Sequence, residues 1–142
     1  MDYAFWDASA LVPLCVHQRA TPLAHALSAK YRIVVWWSTP VEMRGAFARL
    51  LRMGQLTPTA HVAAQFELGQ FRFVWREVYP SEELREQAER LVDRLPLKAV
   101  DALQLAAALS WCFGRPKGRL FISGDRQLLD AARELGFHAV EA

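Results

Sequence analysis

Short apolar runs recur along the chain, separated by longer segments in which apolar residues return every three or four positions. Tyr3 to Trp6 is a strand candidate ending at Asp7, and Ala8 to Val12 reads as a helix that Asp7 caps. Thr21-Pro22 supplies a cap and a first-turn proline for a helix to about Lys30, and Ile33 to Trp37 follows as a buried strand. Ser38-Thr39-Pro40 opens a helix to Met53, stopped by Gly54, and Thr57-Pro58 opens another to about Phe71, so the two form a helical hairpin. Phe73 to Tyr79 is a third strand candidate. Ser81 caps a charged amphipathic helix to about Arg94, and Pro96 separates it from an apolar helix over Ala99 to Phe113, stopped by Gly114. Leu120 to Ile122 is a fourth strand, Asp125 caps a helix to Leu135, Gly136 ends it, and Phe137 to Val140 makes an edge strand.

Strands that alternate with helices predict an α/β fold: a three-layer α/β/α sandwich around a central, mainly parallel sheet. With 142 residues, 53% of them hydrophobic, and no repeat or linker, residues 1–142 are expected to form a single domain. Right-handed crossovers bring the carboxyl ends of such strands to one edge, and ligands bind there.

Asp7, Glu42 and Asp125 each fall just beyond a strand end, and so are expected at that edge. Each also has an ordinary explanation. Asp7 and Asp125 suit helix caps, and Thr39 with Glu42 has the spacing of a capping box. Asp101 lies in a segment apolar nearly all round, Ala99 to Leu109, where an ionised carboxylate needs a partner: Lys98, the helix amino terminus, or a cation. Sequence rules alone do not bring Asp101 to the strand edge, because it follows a helix. Four acids in one place repel one another and ask for a cation, and an oxygen-only shell suits Mg²⁺ or Mn²⁺. Zinc would want His or Cys, and His17, His25, His61 and His138 show no ligand spacing.

The formal charge of +2 shows no polybasic tract, so binding to RNA has to be argued from the site. Cys15 and Cys112 stand far apart in apolar surroundings and read as buried free thiols. There is no signal-peptide pattern at the amino terminus, and no apolar stretch reaches the roughly 18 to 20 residues of a membrane span, so a cytoplasmic location is expected. Trp36, Trp37, Phe66, Phe71, Phe73 and Trp75 are expected mostly in the core, with some left for an apolar groove.

Taken in order, four segments carry a resemblance. They are Asp7-Ala8-Ser9-Ala10-Leu11 after the first strand, Glu42 after the second, Val100-Asp101-Ala102-Leu103-Gln104-Leu105-Ala106, and Phe121-Ile122-Ser123-Gly124-Asp125 followed by Leu128. Over its whole length the chain resembles the PIN-domain ribonucleases, and among them the VapC-like toxins of type II toxin–antitoxin systems. The resemblance implies that Asp7, Glu42, Asp101 and Asp125 form a catalytic pocket for one or two Mg²⁺ or Mn²⁺ ions and that RNA phosphodiester bonds are hydrolysed. It also implies a cognate VapB-like antitoxin and a homodimer. Glu42 is a ligand, directly or through water, or the base. The family usually carries His where Gln104 stands. Ser9 and Ser123 would orient carboxylates, or simply form turns, and Lys98, Arg44 and Arg126 would meet RNA phosphates, or stay solvated or paired with acids.

Three rivals follow from the same residues. A PIN-like module that binds RNA or protein without cutting needs no acid quartet. A haloacid-dehalogenase phosphatase wants a second Asp where Ser9 stands, and a receiver domain wants an acidic pair after the first strand.

Overall fold

The computed structural model describes residues 2–16 and 22–142. The expected cap Thr21, and His17, lie outside the described residues. In chain order the elements are β1 (Tyr3–Trp6), α1 (Ala8–Val16), α2 (Pro22–Lys30), β2 (Arg32–Trp36), α3 (Thr39–Arg52), α4 (Pro58–Val74), β3 (Arg76–Val78), α5 (Glu82–Arg94), α6 (Ala99–Trp111), β4 (Leu120–Ser123), α7 (Arg126–Leu135) and β5 (His138–Glu141). The sheet has five strands in the order β3-β2-β1-β4-β5, and every pairing is parallel.

Strand periodicity divides the core into two faces. Phe5, Val34, Trp36 and Phe121 point into a cluster with Leu84, Leu91, Leu105 and Leu128, under α5, α6 and α7. Ala4, Trp6, Ile33, Val35 and Ile122 alternate with them and point the other way, to Leu11, Met43, Phe47 and Leu68, under α1 to α4. The result is the expected three-layer α/β/α sandwich.

Capping chemistry read from sequence mostly holds. Thr57 Oγ1 accepts from Ala60 N at 3.0 Å, Ser81 Oγ from Leu84 N at 3.1 Å, and Gly136 ends α7 with a left-handed φ of 107°. The boundaries differ in two places. The expected strand Phe73 to Tyr79 shrinks to Arg76–Val78, because α4 runs on through Phe73 and Val74 until Trp75 turns extended and buries its ring. The apolar helix ends at Trp111, not Phe113, which takes a positive φ of 55°.

The aromatic expectation also needs correction. Trp36 and Trp75 are core, but Phe66 and Phe73 are exposed on α4 and Trp37 is half exposed. Cys15 and Cys112 are buried free thiols, and burial pushes Cys15 up to about 12, so it is not a nucleophile. Among the described residues no helix is long and apolar enough to cross a membrane.

Candidate functional site

The chain leaves β1 toward β2 and leaves β4 toward β5, on opposite sides, so the β1/β4 boundary is the topological switch point of the sheet. Asp7 and Asp125 stand just past these two carboxyl ends. The Asp7 N–H donates to Ile122 O at 3.1 Å, continuing the ladder by one bond, and the next residue begins α1.

Two serines set the Asp7 carboxylate. Ser9 Oγ donates to Asp7 Oδ1 at 2.8 Å, and Ser9 N lies 3.3 Å from Oδ2. Ser9 Oγ also accepts from Gly124 N at 2.9 Å and sits 3.3 Å from Ser123 Oγ. A Cβ on Gly124 would come within 3.4 Å of Ser9 Oγ and 3.2 Å of Ala142 O, so the close approach suits glycine. Asp7 is only 7% exposed, and burial pushes its pKa up to about 6. Hydrogen bonds from Ser123 and Ser9 oppose that rise, and the Glu42 charge adds to it.

Asp125 is a cap as well as a site candidate. Its Oδ1 accepts from Gln127 N at 2.9 Å and Leu128 N at 3.4 Å, while its own N–H donates to Ser123 Oγ at 3.0 Å. Only Oδ1 is used by the cap, which leaves Oδ2 for another partner.

Glu42 is in the first turn of α3, but the expected capping box with Thr39 does not form. Ser38 is the cap residue, and its backbone is already helical at φ −82° and ψ −4°, which takes its hydroxyl away from the orphan amides. Ser38 Oγ instead donates to Glu42 Oε2 at 2.5 Å, and Thr39 Oγ1 is buried without a partner. From α6, Gln104 Nε2 donates to Glu42 Oε1 at 3.1 Å and Oε2 at 3.3 Å.

Asp101 reaches this edge through α6. The bend at Pro96 is fastened to α7, where Gln127 Nε2 donates to Pro96 O, so the first turn of α6 lies beside Asp125. Asp101 is half-buried, not enclosed as its apolar neighbours suggested, since Val100 beside it is exposed. Burial raises its pKa, with the charges of Asp125 and Glu42 acting the same way and Lys98 opposing them. Lys98 therefore acts on Asp101 through its charge. No ion pair forms between them, and among the described residues none involves Asp7, Glu42, Asp101 or Asp125.

The fold thus links all four acids electrostatically: Asp7 with Glu42, Glu42 with Asp101, and Asp101 with Asp125. It does not press them together. Among the described residues, no three His, Cys, Asp or Glu side chains are gathered closely enough to hold a metal ion as they stand. Hydrogen bonds explain part of the spread, since Glu42 is held by Ser38 and Gln104 and Asp125 by the α7 amino terminus. The donor set still fits a hard divalent cation: carboxylate oxygens only, one acid buried, and, among the described residues, no basic side chain in an ion pair with any of them.

Of the expected rim cations, Arg126 is 3.8 Å from Glu141, Arg44 is exposed on α3, and Lys98 acts on Asp101. Sequence reasoning missed Ser38 and Gln104 as holders of Glu42. Gln104 had a signal, a polar residue inside an apolar helix one turn after Asp101, and it is 1% exposed.

No family model matches the chain, and no curated protein does. Its fold is similar to the crystal structure of PAE2754 from Pyrobaculum aerophilum, at 20% identity and a TM-score of 0.69 over 99% of this chain and 89% of that one. It is also similar to a toxin-antitoxin complex from Klebsiella pneumoniae, at 16% identity and a TM-score of 0.60 over 86% of each chain. At these identities the likeness is one of α/β fold alone.

Proposed function

We propose that the chain is a Mg²⁺- or Mn²⁺-dependent endoribonuclease of the PIN-domain kind, acting as the toxin of a toxin–antitoxin pair. One observation carries the reading: Asp7, Glu42, Asp101 and Asp125 come from four separate segments to one strand edge, and among the described residues no basic side chain forms an ion pair with any of them. A purely structural set of acids would be expected to find arginines or lysines.

Asp7, Asp101 and Asp125 would hold the ion, and when bound it supplies Lewis acidity and charge neutralisation at the phosphoryl oxygens. Ser9 orients Asp7 by two hydrogen bonds, and Ser123 holds the turn that presents Asp125. Glu42, fixed by the neutral donors Ser38 and Gln104, takes the proton of the attacking water. No side-chain nucleophile is needed, and a phosphorylated Asp7 of the haloacid-dehalogenase type is disfavoured because Ser9 occupies the place of the second Asp.

An antitoxin partner draws support from the similarity in fold to the Klebsiella pneumoniae toxin-antitoxin complex and from α4, where Val62, Phe66 and Phe73 recur on one exposed face. A partner helix covers such a stripe. A homodimer is part of the same proposal and would be read from sedimentation of the chain alone.

The test incubates purified, antitoxin-free protein with structured and unstructured RNAs in Mn²⁺ or in chelator, beside Asp7→Asn and Asp101→Asn. Cleavage by the wild type alone, and only with the ion, is expected. Equal cleavage by all three proteins would remove this mechanism, and no cleavage of any RNA by the wild type would leave a PIN-like binding module.

A further inference from the structure

Trp37 follows the last residue of β2 and is 51% exposed, while its neighbour Trp36 is buried, with 6.4 Å between the ring centroids in an edge-on contact. Tyr79 holds the equivalent place on the adjacent strand and is 66% exposed. The register makes them neighbours: Trp36 pairs with Val78, and the Trp37 N–H donates to Val78 O at 3.0 Å. Their strands lie about 4.8 Å apart, so two aromatic rings leave adjacent positions on the same carboxyl edge as the acids. Read across the sheet from β4 to β3, that edge carries Asp125, Asp7, the Glu42 turn with Trp37, and then Tyr79.

A groove of about 530 Å³ opens beside Trp37, with Trp36, Ser38, Pro80, Arg85 and Leu103 among its walls. That volume suits a small planar ligand. Ser38 lines the groove and also donates to Glu42, so the groove and the acids share a wall. Arg85 on the rim is already bonded to Glu82, which leaves apolar and aromatic surface as the main attraction.

We infer that this groove is a base-stacking subsite, in which an unpaired nucleobase of the RNA strand crossing the acids lies against the Trp37 ring and Tyr79 offers a second platform. The inference rests on the nuclease reading of the acids for its choice of ligand. An indole face accepts any base, and it selects unpaired RNA because a base inside a duplex is already stacked on its neighbours. Trp37 is a positioning residue: it would fix the strand while the acids act on the adjoining backbone.

The test uses the full chain carrying Asp7→Asn, in chelator, with fluorescently labelled oligoadenylate, oligouridylate and a blunt RNA duplex as probes. Binding is followed by anisotropy and by quenching of tryptophan fluorescence. Adding Trp37→Ala is expected to weaken single-strand binding about 5- to 150-fold and to remove most of the quenching, while Trp37→Phe retains most of the affinity. Phe113→Ala, which removes an exposed aromatic beyond the end of α6, should change nothing. Duplex binding should be indifferent to Trp37. Unchanged single-strand affinity in Trp37→Ala, or an equal loss for single strand and duplex, would overturn the subsite. Cleavage by wild type with Mn²⁺ separates the two ideas. Binding that depends on Trp37 without any cleavage keeps the subsite and removes the nuclease, and cleavage with affinity independent of Trp37 does the reverse.

Discussion

Gln104 Nε2 donates to both carboxylate oxygens of Glu42, at 3.1 and 3.3 Å, and so ties α6 to α3 across the strand edge. The amide is buried, and its own Oε1 has no partner. Charge-assisted hydrogen bonds stabilise by about 1.5 to 3 kcal/mol, whereas a buried carbonyl left unsatisfied costs about 1 to 3 kcal/mol.

Gln104→Leu removes both features at once. Its unfolding free energy in urea should therefore fall by less than the hydrogen bonds alone would suggest, while RNA cleavage drops because Glu42 loses its orientation. Gln104→Glu, which sets a like charge against Glu42, should be the more destabilising of the two. A Leu variant that cleaves at the wild-type rate would show that Glu42 needs no tether.

Asp7 gives a pH dependence of definite sign. Its folded pKa of about 6 lies above its ordinary value of 3.8, so the folded state holds the proton more tightly. The contribution is full below pH 3.8, declines as the pH rises through about 6, and amounts to about 3 kcal/mol at 1.36 kcal/mol per pH unit. Burial raises Asp101 in the same direction. In chelator, the stability of wild type minus that of Asp7→Asn should fall between about pH 4 and 6 and level off above. A flat difference would mean that Asp7 is not desolvated in solution.

A divalent ion should reverse that loss. Mn²⁺ at about one hundred times its Kd stabilises by about 2.7 kcal/mol, several degrees in Tm for a chain of this size. Asp7→Asn and Asp101→Asn should each blunt the shift. A wild-type melting curve indifferent to millimolar Mn²⁺ would count against the four acids as a metal site.

Asp125 has two roles that two substitutions separate. Asparagine caps a helix as well as aspartate, so Asp125→Asn should hold the wild-type Tm and yet lose cleavage. Asp125→Ala should lose cleavage and about 1 kcal/mol besides, since Gln127 N and Leu128 N lose their acceptor. Wild-type cleavage by Asp125→Asn would reduce this residue to a cap.

Much of the fold is legible along the chain, and the exceptions have physical causes. The strand ends before Asp7 and Asp125 are marked by short apolar runs and by the polar or turn residues that close them, both local signals. The run Phe73 to Trp75 reads as strand because a short apolar stretch has no period that separates helix from strand. What settles it is the burial of Trp75 against α1 to α4 and not any property of the run. The Thr39 and Glu42 spacing suggests a capping box, but Ser38 enters the helix one residue early and a glutamine 62 residues away claims the carboxylate.

The sequence by itself determined the alternation of strands and helices, the caps and stops, and three of the acids at strand ends, because each depends on neighbours within a turn or a pleat. Only the tertiary structure decided that Asp101 arrives beside Asp125, that Gln104 holds Glu42, and that Trp37 and Tyr79 stand together in solvent. Those relationships are set by strand order and by how α6 lies on the sheet, and both depend on packing between residues far apart in the chain.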